Sequence, residues 1–239
     1  MKRLVAGVAL AATLAVAAAA TRPFWVAPDA AQAQAWLHDA ADRQDAGAEA
    51  SLARWCARGN ASARHAYAAL LAHRADAGSR ERLAQVLADG AEAGDALAAT
   101  QLAELLAGPG TSHDDARIAR LLAQGSAGHV PAASRLLGLR ALDVRQGARA
   151  ATLLGQAADE GDAPAMFLYA NLLRAGQGVE RDDARALALY QAAADADYAP
   201  AIQALAIAWR YGELGLQADS SQSRLMDHEA AEALAHAAN

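Results

Sequence analysis

The chain is 239 residues long, 54% hydrophobic but only 5% aromatic, and carries a formal net charge of −6. That length suits one or two domains, and with so few rings the core has to be built from Leu and from Ala, the best helix former. The acidic balance argues against nucleic acid as a partner and points to basic patches on whatever binds. Apart from Lys2 the positive charge is all arginine, a bias that GC-rich coding alone produces, so no arginine is singled out for its type.

At the N-terminus Lys2 and Arg3 precede the apolar run Leu4-Val5-Ala6-Gly7-Val8-Ala9-Leu10, which continues uncharged to Ala20. A basic start, an apolar centre and small residues at Ala18-Ala19-Ala20 or Ala31-Gln32-Ala33 make an export signal with two candidate cleavage sites. An uncleaved anchor is the alternative, if the apolar stretch extends past Thr21 and Arg22 into Phe24-Trp25-Val26, whose rings suit a membrane interface. The run to Ala20 falls short of the about 20 strongly apolar residues a span prefers, which favours cleavage. Residues 1–35 are thus expected to be a signal peptide or membrane anchor plus a short linker, with membrane contact only through 1–26 if uncleaved. The rest is expected in the periplasm, with an inner-membrane-anchored form as the alternative. Residues 1–33 hold Lys2, Arg3 and Arg22 against Asp29, so the remainder carries about −8.

The segment 29–58, with Trp36-Leu37 and Leu52-Ala53-Arg54-Trp55, reads as a degenerate helix pair. Cys56 is the one cysteine of the chain, which rules out an internal disulfide. It is expected as a small buried residue in a helix over 48–58.

From there a five-residue cassette recurs: Gly59-Asn60-Ala61-Ser62-Ala63, Gly94-Asp95-Ala96-Leu97-Ala98, Gly128-His129-Val130-Pro131-Ala132, Gly161-Asp162-Ala163-Pro164-Ala165 and Asp197-Tyr198-Ala199-Pro200-Ala201. The steps are 35, 34, 33 and 36 residues, the period of a helical-repeat array. In the fifth unit, helical spacing of apolar and small residues over 163–175 is followed by Gly176-Gln177-Gly178-Val179-Glu180-Arg181-Asp182 and a second helical stretch over 183–194. Ala163, Ala165, Ala170, Ala186 and Ala193 let helix backbones approach, while Leu172, Leu173, Leu187, Leu189 and Tyr190 fill the space between. Gly176 and Gly178 allow left-handed backbone after the first helix, and Asp182 or Asp183 caps the second.

This unit resembles the Sel1-like repeat, a relative of the tetratricopeptide repeat. The family order is kept in the sequence Ala-x-Ala, Gly-x-Gly-Val, a following Asp, then Arg185-Ala186-Leu187, Tyr190 and Ala193-Ala194. The sixth unit keeps Tyr211-Gly212-Glu213-Leu214-Gly215-Leu216 and Asp219, its second glycine displaced by one. The third offers Gly108-Pro109-Gly110 and Asp114-Asp115, one residue shorter, and the fourth, at Leu142-Asp143-Val144-Arg145-Gln146-Gly147, has lost the Gly-x-Gly turn. The resemblance implies an all-α fold, a right-handed α-solenoid of about six antiparallel helix pairs over residues 36–239, with terminal units atypical because one side faces solvent.

The same resemblance implies that the first helix of each pair lines a concave groove that takes a protein or peptide. Carried onto this sequence, the groove positions are His65, His73, Thr100, Glu104, Ser134, Phe167, Asn171, Arg174, Gln203, Arg210 and Tyr211. Trp209, Tyr169 and Tyr190 are assigned to the core. Exported proteins of this kind are similar in acting as adaptors, assembly factors or inhibitors, which implies a non-enzymatic binding module. One recurring role is an immunity protein that occupies a secreted phospholipase toxin, and the alternative is a scaffold for an envelope assembly or polysaccharide system. A cell-wall or lactam hydrolase is the third possibility, but the cysteine-rich relatives that suggest it carry a cysteine pair in every repeat, unlike this chain.

No pattern of catalytic chemistry stands against this reading. The histidines show no established metal spacing, and His228, Glu232 and His236, although on one helical face, spread over about 12 Å. No phosphate-binding glycine pattern occurs. Asp114-Asp115 and Asp182-Asp183 recur at equivalent helix starts, as capping and the helix dipole require. No metal, cofactor or catalytic residue is expected.

Overall fold

The computed structural model describes residues 26–74, 76–108 and 114–237. The apolar N-terminal run with its site at Ala18-Ala19-Ala20, the rings of Phe24 and Trp25, and the Pro109-Gly110 part of the third turn lie outside the described residues. Among the described residues there are twelve α-helices and no strand, and contacts divide the chain between His113 and Asp114 into two compact units.

The first unit holds α1 (Ala30–Asp42), α2 (Ala46–Ala57), α3 (Ala61–Arg74), α4 (Ala77–Glu92) and α5 (Ala96–Ala107). Each packs on its neighbour in sequence, and α1 also on α3. The second unit holds α6 (Asp115–Ala127), α7 (Pro131–Asp143), α8 (Gly147–Asp159), α9 (Ala163–Ala175), α10 (Asp183–Asp195), α11 (Ala199–Tyr211) and α12 (Ser220–Ala237), again packed in order. Connections as short as 43–45 and 160–162 turn each chain back on itself. Within the units α1 pairs with α2 and α3 with α4, and α7 pairs with α8, α9 with α10 and α11 with α12, five of the six expected pairs. The Ala31-Gln32-Ala33 sequence falls in the first turn of α1, with Gln32 and Ala33 buried.

Aspartate sets most helix starts. Asp29, Asp45, Asp76 and Asp95 in the first unit, and Asp114, Asp162 and Asp182 in the second, accept backbone N–H bonds from the first turn. Each such cap contributes about 1 kcal/mol. In both Asp-Asp pairs the first residue caps, as at Asp182, which accepts from Arg185 N–H at 2.9 Å. Where the cap is Val130 or Tyr198, a proline in the first turn starts the helix instead.

The turn entering each new pair needs one left-handed residue. Gly59 (φ +80°), Gly94 (φ +88°) and Gly161 (φ +92°) supply it, and Asp197 (φ +55°) does so before α11. The third cassette departs from expectation: Gly128 has φ −89° and caps α6, while His129 takes the left-handed place at φ +57°. The cassette is slipped by one residue because Pro131 opens α7 as its first residue, whereas Pro164 is the second residue of α9.

In the sixth unit the displaced glycine leaves Leu214 at φ +56°. Left-handed backbone costs a side-chain-bearing residue about 1–2 kcal/mol. Leu214 is 7% exposed within the core, and burial of a Leu returns about 1.5–3 kcal/mol, so the turn holds.

The core of the second unit alternates bulk and alanine: Leu154, Leu172, Leu173, Tyr190 and Leu205 pack among Ala157, Ala165, Ala170, Ala186 and Ala193, which are fully buried. The first unit buries Leu52, Trp55, Leu70, Leu71 and Leu87 with Ala63, Ala98 and Ala99. Cys56 is only half-buried, and burial pushes its thiol pKa up.

Candidate functional site

In three repeats the fifth residue of the first helix meets the cap of the next first helix. In the first unit His65 Nε2 of α3 lies 2.9 Å from Asp95 Oδ2, the cap of α5. In the second unit Arg135 of α7 donates through Nε to Asp162 Oδ2, the cap of α9, at 3.1 Å, and Phe167 of α9 stacks edge-on against Tyr198, the cap of α11, with ring centroids 5.7 Å apart. Ion pair and aromatic pair thus do the same job of seating one repeat on the next. Gln203 holds the fifth position of α11 and is exposed.

This register corrects one groove position, Ser134, and burial removes another, Thr100. Ser134 is fully buried, its hydroxyl 2.8 Å from that of Ser126. The one-residue slip at His129 makes it the fourth residue of α7, turned into the packing, and puts Arg135 where Ser134 was expected. Thr100 is 2% exposed and its hydroxyl donates to the Ala96 carbonyl at 2.8 Å. With its polar group satisfied inside its own helix, it offers nothing to a partner.

The remaining positions divide by unit. In the first, His65 is half-buried and engaged with Asp95, His73 is exposed in the last turn of α3, and Glu104 is exposed on α5. Glu104 rims a cavity of about 270 Å³ floored by Leu83 and Leu87 of α4 and walled by Ala68 and Ala72 of α3. Arg64, next to His65 in sequence and 5% exposed, donates to the same Asp95 Oδ2 at 2.8 Å. Burial acts to raise the Asp95 pKa, but the Ala98 N–H and the Arg64 guanidinium hold it below the usual carboxylate value.

In the second unit Phe167 is half-buried between Tyr198 and Tyr190, the latter at 5.8 Å. Asn171 accepts from the Tyr190 hydroxyl at 2.7 Å. Arg174 pairs with Glu213 at 3.3 Å, and Arg210 with Asp227 at 2.6 Å and Ser223 at 3.2 Å. Arg174 thus ties α9 to the turn after α11, and Arg210 ties α11 to α12, both through half-exposed contacts. Tyr211 stands 67% exposed. Tyr169 and Tyr190 are buried as assigned, and Trp209 is half-buried.

The sequence reading missed Ile207. It lies four residues after Gln203 and four before Tyr211, on one face of α11, and is 44% exposed. The helical spacing from two chosen groove positions was the signal that could have found it.

No protein-family profile matches the sequence, and comparison with curated proteins finds no match. Solved structures do match. A Sel1 repeat protein from Oxalobacter formigenes superimposes with a TM-score of 0.75 at 21% identity, over 89% of this chain and 91% of that one. A protective antigen present in uropathogenic Escherichia coli strains, displaying an SLR fold, gives a TM-score of 0.70 at 20% identity over 86% of this chain. The chain has the Sel1-repeat fold. It spans about half the length of the E. coli antigen, of which 51% is covered. The Sel1-repeat resemblance seen in residues 161–197 thus extends, as a fold, over 89% of the chain.

Among the described residues, no group of three His, Cys, Asp or Glu side chains is placed to hold a metal ion. His228 and Glu232 approach within 3.7 Å on the exposed side of α12. No described helix is long and apolar enough to cross a membrane.

Proposed function

We propose that the protein is a non-enzymatic, periplasmic protein-binding module, and specifically an immunity protein that occupies and inhibits a secreted antibacterial phospholipase toxin. The observation that carries the binding reading is the face of α11, where Gln203, Ile207 and Tyr211 stand at successive i, i+4 positions, with Ile207 44% and Tyr211 67% exposed. A large aliphatic and an aromatic group beside a hydrogen-bonding one form the kind of centre that dominates protein interfaces. The export-signal pattern of residues 1–35 supports the periplasmic location, and the acidic charge suits a basic surface on the partner.

A scaffold for an envelope assembly or polysaccharide system is the second reading. It is favoured by the cavity beside Glu104 in the first unit, which would give the chain two binding surfaces. Periplasmic co-expression with a secreted phospholipase toxin separates them. The inhibitor reading expects wild type to restore growth and Ile207→Arg with Tyr211→Ala to fail while remaining folded by circular dichroism. No rescue by wild type sinks that reading, and loss of an envelope polymer on deletion of the gene would support the scaffold.

A further inference from the structure

The export signal read in residues 1–35 offers two places for a leader to be cut, after Ala20 or after Ala33, and the first unit distinguishes them. The Ala31-Gln32-Ala33 sequence is built into α1. Gln32 is 4% exposed with its Oε1 buried and unpartnered, and Ala33 is 1% exposed. Asp29 holds that turn from outside: its Oδ1 accepts from Gln32 N–H at 2.9 Å and its carbonyl from Ala33 N–H at 3.0 Å. One residue earlier Pro28 is buried, and its carbonyl accepts from Asn60 Nδ2 at 3.2 Å. Asn60 in turn accepts Ala63 N–H on Oδ1 at 2.8 Å, at the start of α3. Residues 28 and 29 therefore start one helix and steady the start of another, and those two helices pack on each other.

A leader is removed during export, before the domain has folded, so burial does not itself protect a bond. It decides what the cut leaves behind. Hydrolysis of the Ala33–Gln34 bond would take away the Asp29 cap, the buried first turn of α1 and the carbonyl that Asn60 uses. It would also put a new ammonium on Gln34, at the end of α1 where the helix dipole is already positive. Hydrolysis of the Ala20–Thr21 bond removes none of these contacts. The sequence argues the same way independently: Ala18 and Ala20 close the uncharged apolar run, within the about 15–30 residues of a secretory leader, whereas Ala33 lies beyond that span and beyond Arg22 and Asp29. We propose that the Ala20–Thr21 bond is the processing site of this protein. A leader peptidase of the exporting membrane adds water across that peptide bond, leaving a carboxylate on Ala20 of the leader and a new amino terminus on Thr21, and the mature chain keeps Pro28 and Asp29. This rests on the export reading and is independent of the partner proposed for α11.

Intact-mass measurement and N-terminal sequencing of the full chain, expressed with its own leader and recovered from each cell fraction, test it. The expected result is a periplasmic protein with one N-terminus, at Thr21. Ala20→Tyr, which sets a bulky side chain just before the bond, is expected to lose this cleavage. Ala31→Arg, exposed in the fold, is expected to leave the N-terminus at Thr21. Mature Asp29→Ala is expected to carry its mass change and to melt about 2–4 °C below wild type, having lost one cap. An N-terminus at Gln34, or anywhere other than Thr21, overturns the site, as does mature Asp29→Ala identical to wild type in mass and melting temperature. Full-length chain held in the membrane overturns the site while leaving export intact, and full-length chain in the cytoplasm overturns both.

Discussion

Gly178, in the turn between α9 and α10, lies so close to Gly147, the first residue of α8, that a β-carbon on Gly178 would collide with the Gly147 carbonyl. Gly147 is less constrained in return: its own β-carbon would make a tight contact at 3.3 Å from Gly178 Cα. The fifth repeat keeps its second turn glycine for two reasons, then: left-handed backbone at φ +75°, and a neighbouring repeat packed against it.

Gly178→Ala is therefore expected to lose about 2–4 kcal/mol, combining left-handed strain with a backbone collision. Gly161→Ala has the strain at φ +92° but open space around it, and should lose only about 1–2 kcal/mol. Urea denaturation of the two variants measures the difference. Equal losses would mean the contact with Gly147 contributes nothing.

Ala170 is completely buried on α9 among the side chains of the second unit's core. Replacing it with Leu overpacks a helix crossing and is expected to cost about 1–3 kcal/mol. An unchanged melting temperature would argue that the neighbouring helices part at little cost.

Asp95 is both a cap and the counter-charge of buried Arg64. Asp95→Ala is expected to cost about 3–5 kcal/mol, because it strands a buried charge. Asp76→Ala, at a cap with no buried charge to neutralise, should cost markedly less. The Asp95 pKa is depressed in the folded state, so its contribution is fully present above the unfolded value of about 3.9 and is lost as pH falls through the lower folded value. Wild type should therefore lose more stability than Asp95→Asn between pH 5 and pH 2, measured by denaturant titration at each pH. A parallel pH dependence in the two proteins would contradict the linkage.

Arg174 and Arg210 make half-exposed ion pairs, each worth at most about 1 kcal/mol. Their joint replacement by Ala should leave a cooperative melting transition within a few degrees of wild type. Any loss of partner capture in that variant then reports on binding. A collapsed transition would instead make both arginines structural.

The helices and their starts were legible in the sequence because their causes are local. A cap reaches three residues, a left-handed turn needs one, and alanine spacing shows in a single helix, so 163–175 and a cap at Asp182 or Asp183 could be read without a neighbour. What each side chain faces is decided by another helix. Ser134 and Arg135 exchange places because of a one-residue slip at His129 that turns on where Pro131 falls in its helix. Thr100 holds a groove position by its spacing but is buried by the residues around it, and Leu214 accepts left-handed backbone only because a core is there to receive it. The sequence by itself determined a chain of capped, alanine-packed helix pairs. Only the tertiary structure decided that Gly178 must yield to Gly147, that Ile207 joins Gln203 and Tyr211 in solvent, and that Gln32 carries a buried oxygen with no partner, since each of these depends on contacts between segments that the chain brings together only on folding.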